Sequence, residues 1–242
     1  MTPTKLPLMD KKLAIVLTAT LIPNAILTVH TDFEQRRAAY LKAIDFYHPY
    51  AEVYFLENST YDLASDAAFH QYANVHIRKF PPSKFYAKGK GFQEFEMLDL
   101  WLGTEPSAPV RWLKITGRHR VNDFDKVFAE CLNEDQYELI IEQERPPHPE
   151  VLTNIFYVTT AYYRRRFLGI YRLADDAAGV FIEHIVLQHI QLADKFRLFK
   201  HLPLTEGISG STGEVFGITL KRRLKRLLGK LTYRFNNQYR IF

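Results

Sequence analysis

Short apolar runs alternate with helical patterns through the first half of the chain, and this rhythm constrains the fold more than any other feature. Residues 12–20 (KLAIVLTAT), 51–59 (AEVYFLENS), 74–81 (NVHIRKFP) and 110–117 (VRWLKITG) are brief apolar stretches stopped by polar residues, proline or glycine. Between them, residues 32–47 carry Phe33, Ala38, Leu41 and Ile44 at helical spacing. Residues 63–73 read as a short helix, and residues 91–104 as a longer one stopped near Gly103. Runs of about five residues bounded by turn formers are strands, and apolar spacing near 3.6 is a helix. Strand–helix–strand repetition predicts an α/β fold: a mostly parallel sheet flanked by helices, with right-handed crossovers.

The second half is less regular. Residues 136–145 and 154–163 read as strands, or as a strand running into a helix start. Residues 174–196 are the strongest helix pattern, with Phe181, Ile182, Ile185, Val186 and Ile190 in period. Residues 201–217 form a stretch rich in Gly, Ser and Thr, of a length that suits a lid over a site. A chain of 242 residues, 47% hydrophobic, supports one substantial core. The lone Cys131 excludes an intramolecular disulfide and fits a reducing compartment. No run approaches the roughly 18–20 apolar residues of a membrane span. The first apolar run is broken by Pro23 and Asn24, unlike a signal peptide.

The net charge of +5 is unevenly placed. Residues 218–242 hold Lys and Arg from Lys221 to Arg240, leucines between them and no acidic residue, so the rest of the chain is near neutral or slightly acidic. The expected division is a catalytic domain over residues 1–217 and a basic amphipathic C-terminal helix over 218–242, lying on an anionic membrane. The cations are concentrated in that amphipathic tail and no recognition motif is present, so nucleic acid is not an expected partner.

Ligands of α/β sheets bind beyond the carboxyl ends of the strands. Thr18 and Thr20 end the first strand and Glu57 and Asn58 the second, offering hydroxyl, carboxylate and amide groups to a nucleoside. Lys88, Lys90 and Gly91 precede a helix, whose N-terminus favours anions. Thr116, Gly117, Arg118, His119 and Arg120 end the fourth strand, where fixed cations can stabilise a leaving diphosphate. Glu183, beside His184 among isoleucines, is either a general base of raised pKa or a core-edge acid paired with Arg164, Arg165 or Arg166. His189 and His201 are structural or binding residues by default. Asp175 and Asp176 suit a helix start, and Asp123 and Asp125 either open a helix or hold a divalent ion. No CxxC or HExxH spacing supports a metal site.

The order of the segments KLAIVLTATLIPN, VYFLENS, KGKGFQEFEML, WLKITGRHRV, YVTTAYYRRRFLGIY and GVFIEH, spanning about residues 12–190, resembles GT-A glycosyltransferases of bacterial capsule and lipopolysaccharide O-antigen synthesis. The resemblance implies a GT-A-like, Rossmann-type sheet and transfer of a hexose, galactose among the candidates, from a nucleotide diphosphate sugar such as a UDP-sugar. The acceptor implied is a lipid-linked glycan at the cytoplasmic face of the inner membrane. Where such enzymes carry an Asp-x-Asp metal motif, this chain has Thr116-Gly117-Arg118. A metal-independent variant is therefore expected, with no cofactor, Mg²⁺ or Mn²⁺ being left open. The family's acceptor-side acid falls on Glu183. His119, His184 and Arg164 would support the acceptor. The alternatives are a phosphoribosyl- or nucleotidyltransferase on a similar sheet, and a membrane-associated binding protein without catalysis.

Overall fold

The computed structural model describes residues 12–26, 28–143, 151–208, 213 and 215–216. The expected tail helix over 218–242 lies outside the described residues, as do positions 209–212, 214 and 217 of the predicted lid.

The predicted strand–helix rhythm is present. Strands β1 (Ala14–Ala19), β2 (Val53–Glu57), β3 (Val75–Lys79) and β4 (Arg111–Thr116) are mutually parallel, in the order β3-β2-β1-β4. Helix α1 (Phe33–Tyr47) connects β1 to β2, and α2 (Lys90–Thr104) connects β3 to β4. After β4 come β5 (Arg120–Asn122), α3 (Phe124–Leu132), β6 (Leu139–Gln143), β7 (Val151–Thr159) and α4 (Thr160–Arg166). Helix α5 (Ile182–His189) precedes β8 (Phe196–Leu198). The main sheet reads β3-β2-β1-β4-β7-β6-β8. Within it β7 alone runs against the others, because it is antiparallel to both β4 and β6, while β8 is parallel to β6. The start of β7 therefore lies at the edge where β1 and β4 end.

Both faces of the sheet are buried, and β4 shows how alternation divides them. Leu113 and Ile115 join the core under α1 and α3, with Ile15, Leu17, Phe55 and Tyr47. Trp112 faces the other core, under α2, α4 and α5, with Val16, Phe95, Trp101 and Phe156. Trp101 and Trp112 meet edge to face at 5.4 Å, an arrangement that adds to the large apolar area each ring buries. Lys114 falls between Trp112 and Thr116 on the same side of the strand and is fully buried.

Several expectations need correction. In α1 the buried residues are Arg36, Tyr40, Ala43, Ile44 and Tyr47, while Ala38 is exposed. The buried face carries polar groups that bond to the backbone, so hydropathy spacing misplaces it. Residues 63–73 form two 3₁₀ turns, Leu63–Ser65 and Ala67–His70, the second capped by the Asp66 carboxylate. The long helix over 174–196 shrinks to α5. Asp175 and Val180 exchange both backbone hydrogen bonds, and Gly179 adopts φ 74, which closes a tight turn before the helix begins. The basic stretch after β4 is not all loop. Its second half, β5, pairs with β9 (Leu204–Ile208), which pairs in turn with β10 (Val215–Phe216). The predicted lid thus supplies two strands, β9 and β10, of a small antiparallel sheet whose third strand, β5, follows the end of β4.

Candidate active site

A cavity of about 420 Å³ opens at the carboxyl edge of the sheet. Its walls come from five places: the end of β1, the start of α1, the N-terminus of α2, the end of β4, and the start of β7 with α5. Of the residues singled out from sequence, it brings together Thr18, Thr20, Lys90, Gly91, Thr116, Arg118, His119, Asp176 and Glu183.

Two glycines make this convergence possible. A Cβ on Gly117 would lie 2.8 Å from the Thr18 carbonyl oxygen, which accepts the Gly117 amide hydrogen at an N···O distance of 2.8 Å. That close approach ties the end of β4 to the end of β1. A Cβ on Gly91 would lie 2.5 Å from Cγ2 of Ile182, so only glycine lets the first turn of α2 rest against the start of α5. Glu183 follows Ile182 directly and inherits its place from that contact.

One side of the cavity is cationic. Arg118 donates from Nε to the Ile208 carbonyl at 3.1 Å, which anchors its stem and leaves the guanidinium at the cavity wall. Lys90 opens α2, where the unpaired amides of the first turn already attract anions. Burial pulls its ammonium pKa down, and nearby Asp176 partly restores it. Arg36 adds a third cation. Its guanidinium donates to the carbonyls of Thr20 and His30 and to the Tyr40 hydroxyl, all neutral oxygens, and burial lowers its pKa. His119 is buried beside Arg118 and Lys114, and desolvation with these charges pushes its pKa down to about 3, so the ring is neutral at physiological pH.

The other side is acidic. Glu183 accepts from the Thr153 hydroxyl at 2.8 Å. Burial is the main reason its pKa rises; its own amide and Thr153 oppose the rise, Glu94 adds to it and Lys114 opposes it. The arginine pairing considered for Glu183 is not formed: Arg164 donates to the Leu102 carbonyl, Arg165 pairs with Glu138 and Arg166 with Asp194. Glu94, one turn into α2, accepts from the Thr18 hydroxyl at 2.5 Å and pairs with Lys114 at 2.7 Å. Glu94, Lys114, Thr153 and Arg36 were not singled out from sequence. Lys114 carries a readable signal, since a charge between Trp112 and Thr116 sits on an inward position of a strand buried on both faces.

The remaining sequence candidates, Asp176 apart, stand outside the cavity lining. Glu57 is wholly buried; its Oε1 accepts from the amides of Leu21 and Ser59, and its Oε2 pairs with Lys79. It shapes the loop after β1 and has no face on the cavity. Asn58 accepts from the Thr20 hydroxyl at 2.6 Å and supports the wall from behind. Lys88 pairs with Asp175 at 2.5 Å, and Asp176 accepts the Lys90 amide. The two aspartates thus hold the α2 N-terminus, and Asp175 also caps the 3₁₀ turn Asp176–Ala178 through the Ala178 amide, while α5 itself begins further on at Ile182. Arg120 is exposed, over Phe46 and near Glu206. His184 packs edge-on against Phe181, and Arg164 donates to the Leu102 carbonyl at the C-terminal end of α2. Asp123 caps α3 at φ 54, and Asp125 accepts from the Tyr50 hydroxyl. Among the described residues no three His, Cys, Asp or Glu side chains gather as a metal site.

No protein-family model matches the sequence, and no curated protein matches it. Solved structures do resemble the fold. The inositol-1-phosphate CTP transferase from T. maritima aligns over 92% of this chain and 96% of its own, with 10% identity and a TM-score of 0.51. The galactosyltransferase LgtC, solved with donor and acceptor sugar analogues, aligns over 76% of this chain and 72% of its own, with 13% identity and a TM-score of 0.46. TarS of S. aureus, solved with UDP-GlcNAc, aligns over 84% and 62%, with 13% identity and a TM-score of 0.44. At these identities the likeness is one of fold: a mixed α/β, Rossmann-like sheet flanked by helices, as the strand rhythm predicts.

Proposed function

We propose that the chain is a GT-A-type glycosyltransferase that transfers a hexose from a nucleotide diphosphate sugar, a UDP-sugar in the first instance, to a hydroxyl of a lipid-linked glycan. One observation carries this reading: a single cavity sets Arg118, Lys90 and the α2 N-terminus on one side and the half-buried carboxylate of Glu183 on the other. In transfer, the bond between the anomeric carbon and the diphosphate oxygen breaks, and the diphosphate leaves with the electron pair. Cations placed at that oxygen stabilise the charge as it develops. The acceptor oxygen bonds to the anomeric carbon and its proton passes to Glu183. Thr18, Thr20 and the loop after β1 would hold the nucleoside. At the end of β4 a hydroxyl, a glycine and a guanidinium do not make a divalent-cation site, so no step is routed through a metal. The structures solved with sugar analogues and UDP-GlcNAc share this fold, which agrees with a nucleotide-sugar donor. We place the enzyme on the cytoplasmic face of the inner membrane, held by residues 218–242; no described helix is long and apolar enough to cross a membrane.

Nucleotidyl transfer to a sugar 1-phosphate is the second reading, because the same cations would hold a nucleoside triphosphate. The T. maritima transferase shares the fold. Glu183 favours the first reading: a phosphate nucleophile is already anionic and needs no base, whereas a sugar hydroxyl does. The test is a thermal-shift screen of UDP- and other nucleotide sugars against nucleoside triphosphate plus sugar 1-phosphate, each with and without EDTA. A ligand at about 100 times its Kd adds roughly 2.7 kcal/mol to stability, a rise of several degrees. A rise with a nucleotide sugar, unchanged by EDTA and lost in Arg118→Ala, is expected. A rise with the triphosphate pair alone would support nucleotidyl transfer, and no rise with any would support a binding protein without catalysis.

A further inference from the structure

The cavity floor holds a lysine that the transfer chemistry does not call for. Lys114 has no exposed surface, yet it sits in the centre of the sheet with its ammonium just beneath the cavity. A buried charge persists only where its partners are well placed, and a pair of apolar side chains of similar size is often at least as stable. Here every proton of the ammonium has an acceptor: Glu94 Oε1 at 2.7 Å, the Thr153 carbonyl at 2.7 Å and Thr116 Oγ1 at 3.2 Å. Glu94 Oε1 also receives the hydroxyls of Thr18 at 2.5 Å and Thr116 at 3.4 Å. Thr153 is gripped at both ends, its carbonyl by Lys114 and its hydroxyl by Glu183 Oε1 at 2.8 Å. An unbroken chain of contacts therefore runs from Glu94 through Lys114 and Thr153 to Glu183; its members Glu94, Thr153 and Glu183 line the cavity, as do the flanking Thr18 and Thr116.

We propose that Lys114, Glu94 and Thr153 are positioning residues for Glu183: a buried ion pair and one hydroxyl that fix the orientation of the base carboxylate and govern the pH range in which it accepts a proton. This inference rests on the reading of Glu183 as the base. The groups that face Glu183 are Glu94 and Lys90 from α2, Lys114 from β4 and Thr153 from β7; His184, its neighbour on α5, turns toward Phe181. Arg118 acts on Lys114 and Lys90. The signs differ between partners. Negative Glu94 disfavours the charged form of Glu183, while positive Lys114 and the Thr153 hydroxyl favour it.

The opposed signs supply a test that a merely structural role would not pass. In the full-length chain, hydrolysis of UDP-galactose to galactose and UDP, with water in place of the acceptor hydroxyl, is followed against pH, and the Glu183 carboxyl is titrated by ¹³C NMR with its resonance assigned through Glu183→Gln. Glu94→Gln should move the acid limb and the NMR midpoint down by about one pH unit, and Lys114→Met and Thr153→Val should move both up by a similar amount. Lys114→Met leaves the partly buried Glu94 carboxylate without its cation and is the variant most exposed to misfolding. The Glu94→Gln/Lys114→Met double variant removes both charges, and its midpoint should return close to that of the parent. Midpoints that stay fixed, or that move the same way in all variants, overturn the inference. Absence of UDP release in the parent, or full activity in Glu183→Gln, overturns the transfer reading instead, and the NMR midpoints still decide whether the network governs Glu183.

Discussion

Glutamine at position 183 would keep the size of the side chain and the hydrogen bond from Thr153, but it cannot take a proton. Glu183→Gln should therefore lower the turnover number by about 10²–10⁴-fold, the ordinary worth of general-base catalysis, while the affinity for a nucleotide sugar stays within a factor of two or three. Steady-state kinetics beside a binding titration would separate the two quantities, and full turnover in this variant would remove Glu183 from the mechanism. The parent should also show an acid limb displaced upward from the usual carboxylate range, because burial raises the pKa of Glu183 and the base works only when ionised. At this scale the sequence was a partial guide. Thr18, Thr116, Arg118 and Glu183 were legible because strand ends and helix starts are where α/β sheets keep ligands. Glu57 obeys the same positional rule and yet turns its carboxylate to the Leu21 and Ser59 amides, a use that only the path of the next loop determines. Lys114 stands out as a charge on an inward strand position, but Glu94 looks ordinary alone, and the pair exists only once α2 lies across β4.

Between α2 and α5, contact depends on the absence of a side chain at Gly91. Alanine there would drive its methyl group into Ile182, whose Cγ2 and Cβ lie 2.5 Å and 2.8 Å from the position it would take. Overpacking of this kind costs about 1–3 kcal/mol. Gly91→Ala should therefore lower the melting temperature by several degrees, and it should lower turnover as well, since Glu183 moves with the start of α5. A melting curve and a rate measured on the same preparation would check both, and an unchanged rate would mean that α5 keeps its place without that contact. The strands were legible at this level because apolar runs bounded by turn residues have few other uses. The helices were less so. The buried face of α1 is built on Arg36, Tyr40 and Tyr47, which hydropathy counts as surface or neutral, although each bonds to backbone or loop. The start of α5 is set by the Asp175–Val180 bridge, a turn with no periodic signature.

For the molecule as a whole, pH acts on stability through groups outside the cavity lining as well as within it, and Asp99 is a clear case. Its carboxylate accepts from the Tyr163 hydroxyl at 2.9 Å and from the Gly169 amide at 2.6 Å, and so ties α2 to the turn after α4. Burial outweighs those bonds and raises its pKa from 3.8 to about 6. The folded chain thus binds this proton more tightly than the unfolded chain does. Between about pH 4 and pH 6 the unfolded state loses its proton first, so the contribution of Asp99 to stability falls as pH rises and is constant above that window. With a discount for its partial exposure, the fall amounts to about 1–2 kcal/mol. Asparagine can still accept the Gly169 amide through its oxygen and can donate to the Tyr163 hydroxyl, with no charge to desolvate. Asp99→Asn should therefore flatten the decline in melting temperature between pH 4 and pH 6 and leave the variant at least as stable as the parent at pH 7. Parallel thermal melts across that range would check it, and two curves that stay parallel would show that Asp99 titrates alike in the folded and unfolded chains.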